Sequence, residues 1–199
     1  LDLLLQSEEE LSRPQVEEQL FRIREYVEMV LTFQRLGGIS SDLVLTEYAL
    51  DALVRQSVKK YSVLFINKGL ALELGEMDFR VVTDEKWFIF CLEQLLSNSI
   101  KYTGAGEISI RAEEAEAGCV RLFIKDTGIG IRAEDLPRIF EKGFTGYNGR
   151  LDKRSTGIGL YLCRRIFDHL GIGVWVESRE GEGTEVALRI PGPSKRNLR

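Results

Sequence analysis

Two short glycine-rich stretches hold the residues best placed to do chemistry. Asp126-Thr127-Gly128-Ile129-Gly130-Ile131 directly follows an alternating apolar run, and Thr156-Gly157-Ile158-Gly159-Leu160 opens a helical pattern. Glycine lets the backbone turn and lets a ligand come close. A helix that starts on glycine offers free N–H groups and the positive end of its dipole, which suits phosphate. Gly157 and Gly159 therefore read as a phosphate cradle. Asp126, at a strand end, can accept hydrogen bonds from a buried amino group of the kind an adenine base carries.

A third stretch, Glu93-Gln94-Leu95-Leu96-Ser97-Asn98-Ser99-Ile100-Lys101-Tyr102, lies on a predicted helix. At about 100° per residue, Gln94, Asn98 and Lys101 share a narrow arc. Phe88, Leu92, Leu95 and Ser99 form the neighbouring apolar stripe. One face can pack on a sheet while its edge presents an amide and an ammonium to a ligand. An amide oxygen suits Mg²⁺, which takes oxygen ligands and keeps several waters when phosphates share it. Lys101 would neutralise phosphate charge.

Other phosphate and metal motifs are excluded. Gly128-Ile129-Gly130-Ile131-Arg132-Ala133 fits G-x-G-x-x-G/A, but a dinucleotide fold needs an acidic residue ending a second strand about 20 residues on. The sequence there, Phe144 to Asp152, has no strand pattern. No G-x-x-x-x-G-K-[ST] occurs. The lone histidine, His169, rules out a His-rich metal site and reads as a packing or capping residue near a helix end. Cys91, Cys119 and Cys163 are odd in number, far apart and in apolar stretches, so they read as small buried hydrophobes in a reducing setting. With 27 basic and 31 acidic residues the net charge is −4, which argues against a nucleic-acid partner. No apolar run approaches the ~18 residues that span a bilayer.

The elements that must position these residues follow from periodicity. Leu20, Ile23, Val27, Val30 and Leu31 predict an amphipathic helix over 15–36, stopped by Gly37-Gly38. Leu1 to about Glu9 resembles the tail of an earlier helix, so the two make a partial helical hairpin. The chain starts in mid-pattern at Leu1, which reads as a fragment of a longer protein. Beyond it, strands are predicted at 43–48, 70–74, 79–83, 107–114, 119–125, 173–178 and 184–190. Helices are predicted at 50–68, 84–102, 134–140 and 157–170, with a polar loop over 144–155. This order gives an α+β, two-layer α/β sandwich, a mixed sheet with helices on one face. Trp87 and Phe88 belong to its core. The acidic run Glu113-Glu114-Ala115-Glu116 is a solvated hairpin end.

Gln94–Thr103, Asp126–Ile131, Arg138–Phe144, Thr156–Leu162 and Gly181–Thr184 resemble, in order and spacing, five motifs of sensor histidine kinase catalytic domains. The resemblance covers Val44 to Pro191 and implies a Bergerat-type ATP-binding fold, shared with gyrase, Hsp90 and MutL. It implies that Asn98 holds Mg²⁺ and that Lys101 and Tyr102 contact nucleotide phosphate and sugar. Asp126 would read the adenine amino group, with Gly128, Gly130, Ile131 and Thr184 around the base. Phe140 and Phe144 would anchor a lid over Thr145–Ser155, with Lys142, Lys153 and Arg154 approaching the phosphates. Thr156, Gly157, Gly159 and Leu160 would cradle the phosphates.

The ATP-hydrolysing relatives place Glu four residues before the metal-binding Asn, where this chain has Gln94. Glutamine cannot act as a general base. The resemblance therefore implies a kinase that binds ATP and awaits another nucleophile, a histidine on the first helix of a dimeric hairpin. No histidine occurs in Leu1–Glu9. The alternatives are an ATP-driven clamp of the same fold and a non-catalytic regulatory module. The implied domains are a hairpin remnant over 1–38, an ATP-binding domain over 39–191 and a basic tail over 192–199. The implied partners are a response-regulator receiver domain and a second copy through the hairpin. The implied location is a cytoplasmic domain whose parent reaches the cell membrane through upstream segments.

Overall fold

The computed structural model describes residues 13–35, 43–146 and 156–193. The chain divides into two units, 1–37 and 38–199. The described residues of the first form a helix, α1 (Arg13–Arg35). Leu20, Ile23, Val27, Val30 and Leu31 form an apolar stripe along it, and all five are exposed.

The second unit runs β1 (Thr46–Ala49), α2 (Leu50–Lys68), β2 (Ala71–Leu74), β3 (Arg80–Thr83), α3 (Glu85–Tyr102), β4 (Glu107–Ala115), β5 (Cys119–Asp126), α4 (Gly159–Leu170), β6 (Gly173–Arg179) and β7 (Gly183–Pro191). Five strands form one mixed sheet in the order β2-β4-β5-β7-β6; β1 and β3 make a separate antiparallel pair. Among the described strands of this sheet, β2 pairs parallel with β4 and the other pairs are antiparallel.

Alternation along the strands sets the layers. Ile108, Ile110, Val120, Leu122, Ile124, Val186, Leu188 and Ile190 are buried. They are joined in the core by Phe88, Leu92, Leu95 and Leu96 of α3 and by Leu162, Ile166 and Phe167 of α4. The opposite face carries charged residues; there the Arg111 guanidinium stacks on the Phe123 ring, 3.8 Å from its centroid. All three cysteines are free and buried, and so are Trp87 and Phe88.

Helix α3 is fixed at both ends. The Asp84 carboxylate accepts from Trp87 N at 3.1 Å, satisfying an orphan donor of the first turn. At the other end Lys68, the last residue of α2, donates to the carbonyls of Ile100 (2.5 Å), Thr103 (3.2 Å) and Lys101 (3.3 Å). A cation there meets unpaired carbonyls and the negative end of the dipole.

Three predicted elements differ. The strand expected over 43–48 pairs as Thr46–Ala49, because Val44 N donates to the Asp84 carboxylate at 2.9 Å instead of entering a ladder. The helix expected over 134–140 is only a 3₁₀ turn, Leu136–Arg138. Pro137 has no N–H, and the bonds there are short-range: Asp135 N to Arg132 O, Arg138 N to Asp135 O and Glu141 N to Arg138 O. Helix α4 starts two residues after the predicted position, since Gly157 has φ +64°. The predicted segment 1–9, Gly37-Gly38, most of the 144–155 loop and all but the start of the tail lie outside the described residues.

Candidate functional site

Asp126 ends β5, the central strand of the five, and shares its inward face with Leu122 and Ile124. Its carboxylate is therefore aimed at the helix layer and is 6% exposed. Oδ1 accepts from Gly128 N at 3.0 Å and Thr184 N at 3.2 Å. Oδ2 accepts from Ser99 Oγ at 3.1 Å. No ion pair among the described residues involves Asp126. Burial raises its pKa, and the bonds from Gly128, Ser99 and Thr184 oppose that shift. The result is a buried acceptor group held by neutral donors.

The loop after β5 is pressed against its surroundings. A side chain at Gly128 would stand 2.6 Å from Tyr102 O and 2.9 Å from both Asp126 Oδ1 and Thr103 Oγ1. Gly130 has φ +69°, and a side chain there would collide with Arg179 O. Ile129 N donates to Tyr102 O at 3.1 Å, and Gly181 N donates to Ile129 O at 2.8 Å. Ile131 N donates to Ser178 Oγ at 2.8 Å.

Helix α3 spaces the two glycine stretches. Ser99 holds Asp126, while Gln94 Oε1 lies 2.5 Å from the place a Gly159 side chain would occupy at the start of α4. The five steps from Gln94 to Ser99 span about 7.5 Å of helix. Asn98 sits within that span, half-buried. Glu93 turns away and pairs with Lys60 of α2 at 2.5 Å. Lys101 and Tyr102 are half-buried at the end of α3, the ammonium 5.0 Å from the ring centroid.

At the start of α4, Gly143 N donates to Gly157 O at 2.9 Å. A side chain on Gly157 would lie 2.5 Å from Gly143 C and 2.6 Å from Phe144 O. The segments around Phe144 and Gly157 thus cross in contact. Phe140 and Phe144 are half-buried, and Arg138 lies over the Phe144 ring at 4.4 Å. Thr156 and Lys142 are exposed, Leu160 half-buried. Lys153 and Arg154 lie outside the described residues.

Ser99, Ser178 and Thr103 are members of this site that the sequence reading did not single out. Ser99 reads as part of an apolar stripe; a serine in that stripe beside the motif's asparagine was the available signal. Thr103 Oγ1 is buried with no hydrogen-bond partner, beside Asp126 and Gly128.

These features fit a purine nucleotide. The Thr103 hydroxyl, buried without a partner, and the Asp126 acceptor are polar atoms of the kind a base can meet, and a helix that starts on glycine, as α4 does, has N–H groups of the kind that can receive phosphate. Asn98, half-buried on α3, carries a neutral amide oxygen, a donor type that Mg²⁺ accepts alongside phosphate and water. Among the described residues, no group of three or more His, Cys, Asp or Glu side chains could hold a metal by itself.

Residues 83–194 match the model of the histidine kinase-, DNA gyrase B- and HSP90-like ATPase family. The chain belongs to that family. Its ATP-binding domain is of the sensor histidine kinase type. It is 40% identical to the sensor histidine kinase GraS of Staphylococcus haemolyticus over 193 residues, 96% of this chain and 56% of GraS. It is 35% identical to the sensor protein BceS of Bacillus subtilis, covering 92% of this chain and 55% of BceS. The chain thus spans about half the length of these relatives. Among solved structures it resembles full-length ShkA in complex with AMPPNP, with TM-score 0.72 and 25% identity over 94% of this chain and 40% of ShkA. It also resembles the nucleotide-free catalytic domain of the histidine kinase ThkA, with TM-score 0.64 and 28% identity over 75% of this chain and 96% of that domain. The expected family and fold are borne out.

Proposed function

We propose that this chain is the ATP-binding catalytic part of a two-component sensor kinase. It holds Mg²⁺-ATP for transfer of the γ-phosphoryl to a histidine outside the chain, and from there to an aspartate of a response-regulator receiver domain. The observation that carries the reading is the spacing along α3, with Asp126 bound at Ser99 and the glycine start of α4 against Gln94. In this reading Asp126 accepts from the adenine amino group, beside Gly128, Gly130, Ile131 and Thr184. Lys101, Lys142 and Arg154 offset phosphate charge, Tyr102 contacts the sugar, and Thr156, Gly157, Gly159 and Leu160 receive the phosphates. Phe140 and Phe144 support the segment covering the nucleotide.

When bound, Mg²⁺ supplies charge neutralisation on the triphosphate, and Asn98 is its protein ligand. The chain's own part is positioning and electrostatics. Gln94 offers no base for water, which favours transfer over hydrolysis and sets the chain apart from an ATP-driven clamp.

Residues 1–38 are proposed as a hairpin remnant, 39–191 as the ATP-binding domain and 192–199 as a tail. The exposed stripe of α1 is the proposed homodimer face. No described helix is long and apolar enough to cross a membrane; the domain is proposed to work in the cytoplasm, attached to a membrane-anchored parent.

The test is to place a histidine-bearing helical hairpin ahead of the chain and add γ-labelled ATP with Mg²⁺. Acid-labile, base-stable label on the protein is expected, with little free phosphate. Steady phosphate release without labelled protein would replace the kinase reading by the clamp.

A further inference from the structure

Ser178, on β6, makes three hydrogen bonds beside Thr184, the register partner of Asp126. Ile131 N donates to Ser178 Oγ at 2.8 Å. Ser178 Oγ donates to Gly183 O at 2.8 Å. Ser178 Oγ and Thr184 Oγ1 are 2.9 Å apart, in a bond that either could donate.

The proton count settles that direction. A serine hydroxyl has one hydrogen and two lone pairs. Gly183 O can only accept, and two oxygens at 2.8 Å with no hydrogen between them would repel. The Ser178 hydrogen therefore lies toward Gly183, and Thr184 must donate to Ser178. The hydrogen of Thr184 is then spent, and its hydroxyl has only lone pairs left to offer. Thr184 is the register partner of Asp126 across β5 and β7, and both side chains lie on the helix-facing side. The polar edge they share offers acceptors only.

We propose that Ser178 is a positioning residue that fixes the hydrogen-bond polarity of the base pocket, so that the pocket selects a purine with an amino group over one with a carbonyl at the same place. This rests on the nucleotide reading of the site. Ser178 acts through Thr184. A hydroxyl left without Ser178 could rotate its hydrogen into the pocket and welcome a carbonyl, whereas one held by Ser178 opposes it with lone pairs. By the same bond, Ile131 is tied to the β6–β7 end, which keeps the loop after Asp126 in register.

The test compares ATP with inosine triphosphate, which has the same sugar and phosphates, a carbonyl in place of the amino group and a hydrogen on the neighbouring N1. Calorimetry on the whole 199-residue chain gives the ratio of the two dissociation constants. General loosening of the fold weakens both ligands and cancels in the ratio. The unaltered chain should favour ATP strongly. Ser178→Ala should shrink that preference about tenfold, the effect of one hydrogen bond, and Ser178→Thr, which keeps the hydroxyl, should restore it. Thr184→Val is near-isosteric and removes the opposing lone pairs, so it should shrink the preference as well, even where Ser178→Ala does not fold. ATP binding with an unchanged ratio in Ser178→Ala or Thr184→Val overturns the role of Ser178 and leaves the nucleotide site standing. No ATP binding by the unaltered chain overturns both.

Discussion

Replacing Asp126 by Asn is expected to weaken ATP binding about 10- to 150-fold, the worth of a hydrogen bond to a charged acceptor of ~1.5–3 kcal/mol. Asn is nearly the same size. Its oxygen can still accept from Gly128 N and Thr184 N, and its NH₂ can face Ser99 Oγ, so the loop is retained. What changes is the face toward the base, where an amide N–H meets an amino N–H. Stability should move the other way. Burial raises the Asp126 pKa above its unfolded value. For an acid, that means the folded protein holds the proton better than the unfolded chain. Stability therefore falls as pH rises from the unfolded carboxylate pKa through the folded one, and the burial penalty is carried by the ionised form. Asp126→Asn should melt no lower than the unaltered chain at pH 7, and any advantage should vanish below the ordinary carboxylate range. Calorimetry and thermal melts at the two pH values check both halves. Unchanged ATP affinity would remove Asp126 from the base site.

The second large effect is expected at Asn98. It sits between Gln94, against the start of α4, and Ser99, bound to Asp126. An amide oxygen there can complete the shell of Mg²⁺ held by phosphates and water. Asn98→Ala should abolish the gain in ATP affinity that Mg²⁺ gives. It should also slow phosphoryl transfer in the hairpin-fused protein by about 10²–10³, the loss of one group that stabilises developing charge. Asn98 lies on the polar edge of α3, so the fold should persist. ATP titrations in Mg²⁺ and in chelator separate the outcomes, and a Mg²⁺ gain that survives Asn98→Ala would place the metal ligand elsewhere.

The parts of the fold legible in the sequence were those written in local chemistry. Helix α3 carries a 3.6-residue stripe and an Asp84 cap, and the structure has both. The hairpin of β4 and β5 carries alternation and a Glu116-Ala117-Gly118 turn, and it pairs as read. Asp126 and the two glycine stretches were visible because few other needs put glycine between a strand and a helix. Long-range contributions were not visible. Ser178 meets Ile131 only because β6 and β7 bring residues 47 positions apart together. The role of Ser99 appears only when β5 docks under α3. The segment expected as a helix over 134–140 holds Pro137 at the start of a 3₁₀ turn, Leu136–Arg138, and goes no further.

The central claim is that one nucleotide touches Asp126, α3 and the start of α4 together. Amide resonances of the isotope-labelled chain, followed while AMPPNP and Mg²⁺ are added, test it most directly. The account predicts that Gly128, Ile131, Asn98, Thr103, Gly157, Gly159 and Thr184 shift together with a single dissociation constant. Shifts confined to one of these segments, separate constants for the two glycine stretches, or no shift at saturating nucleotide would contradict it.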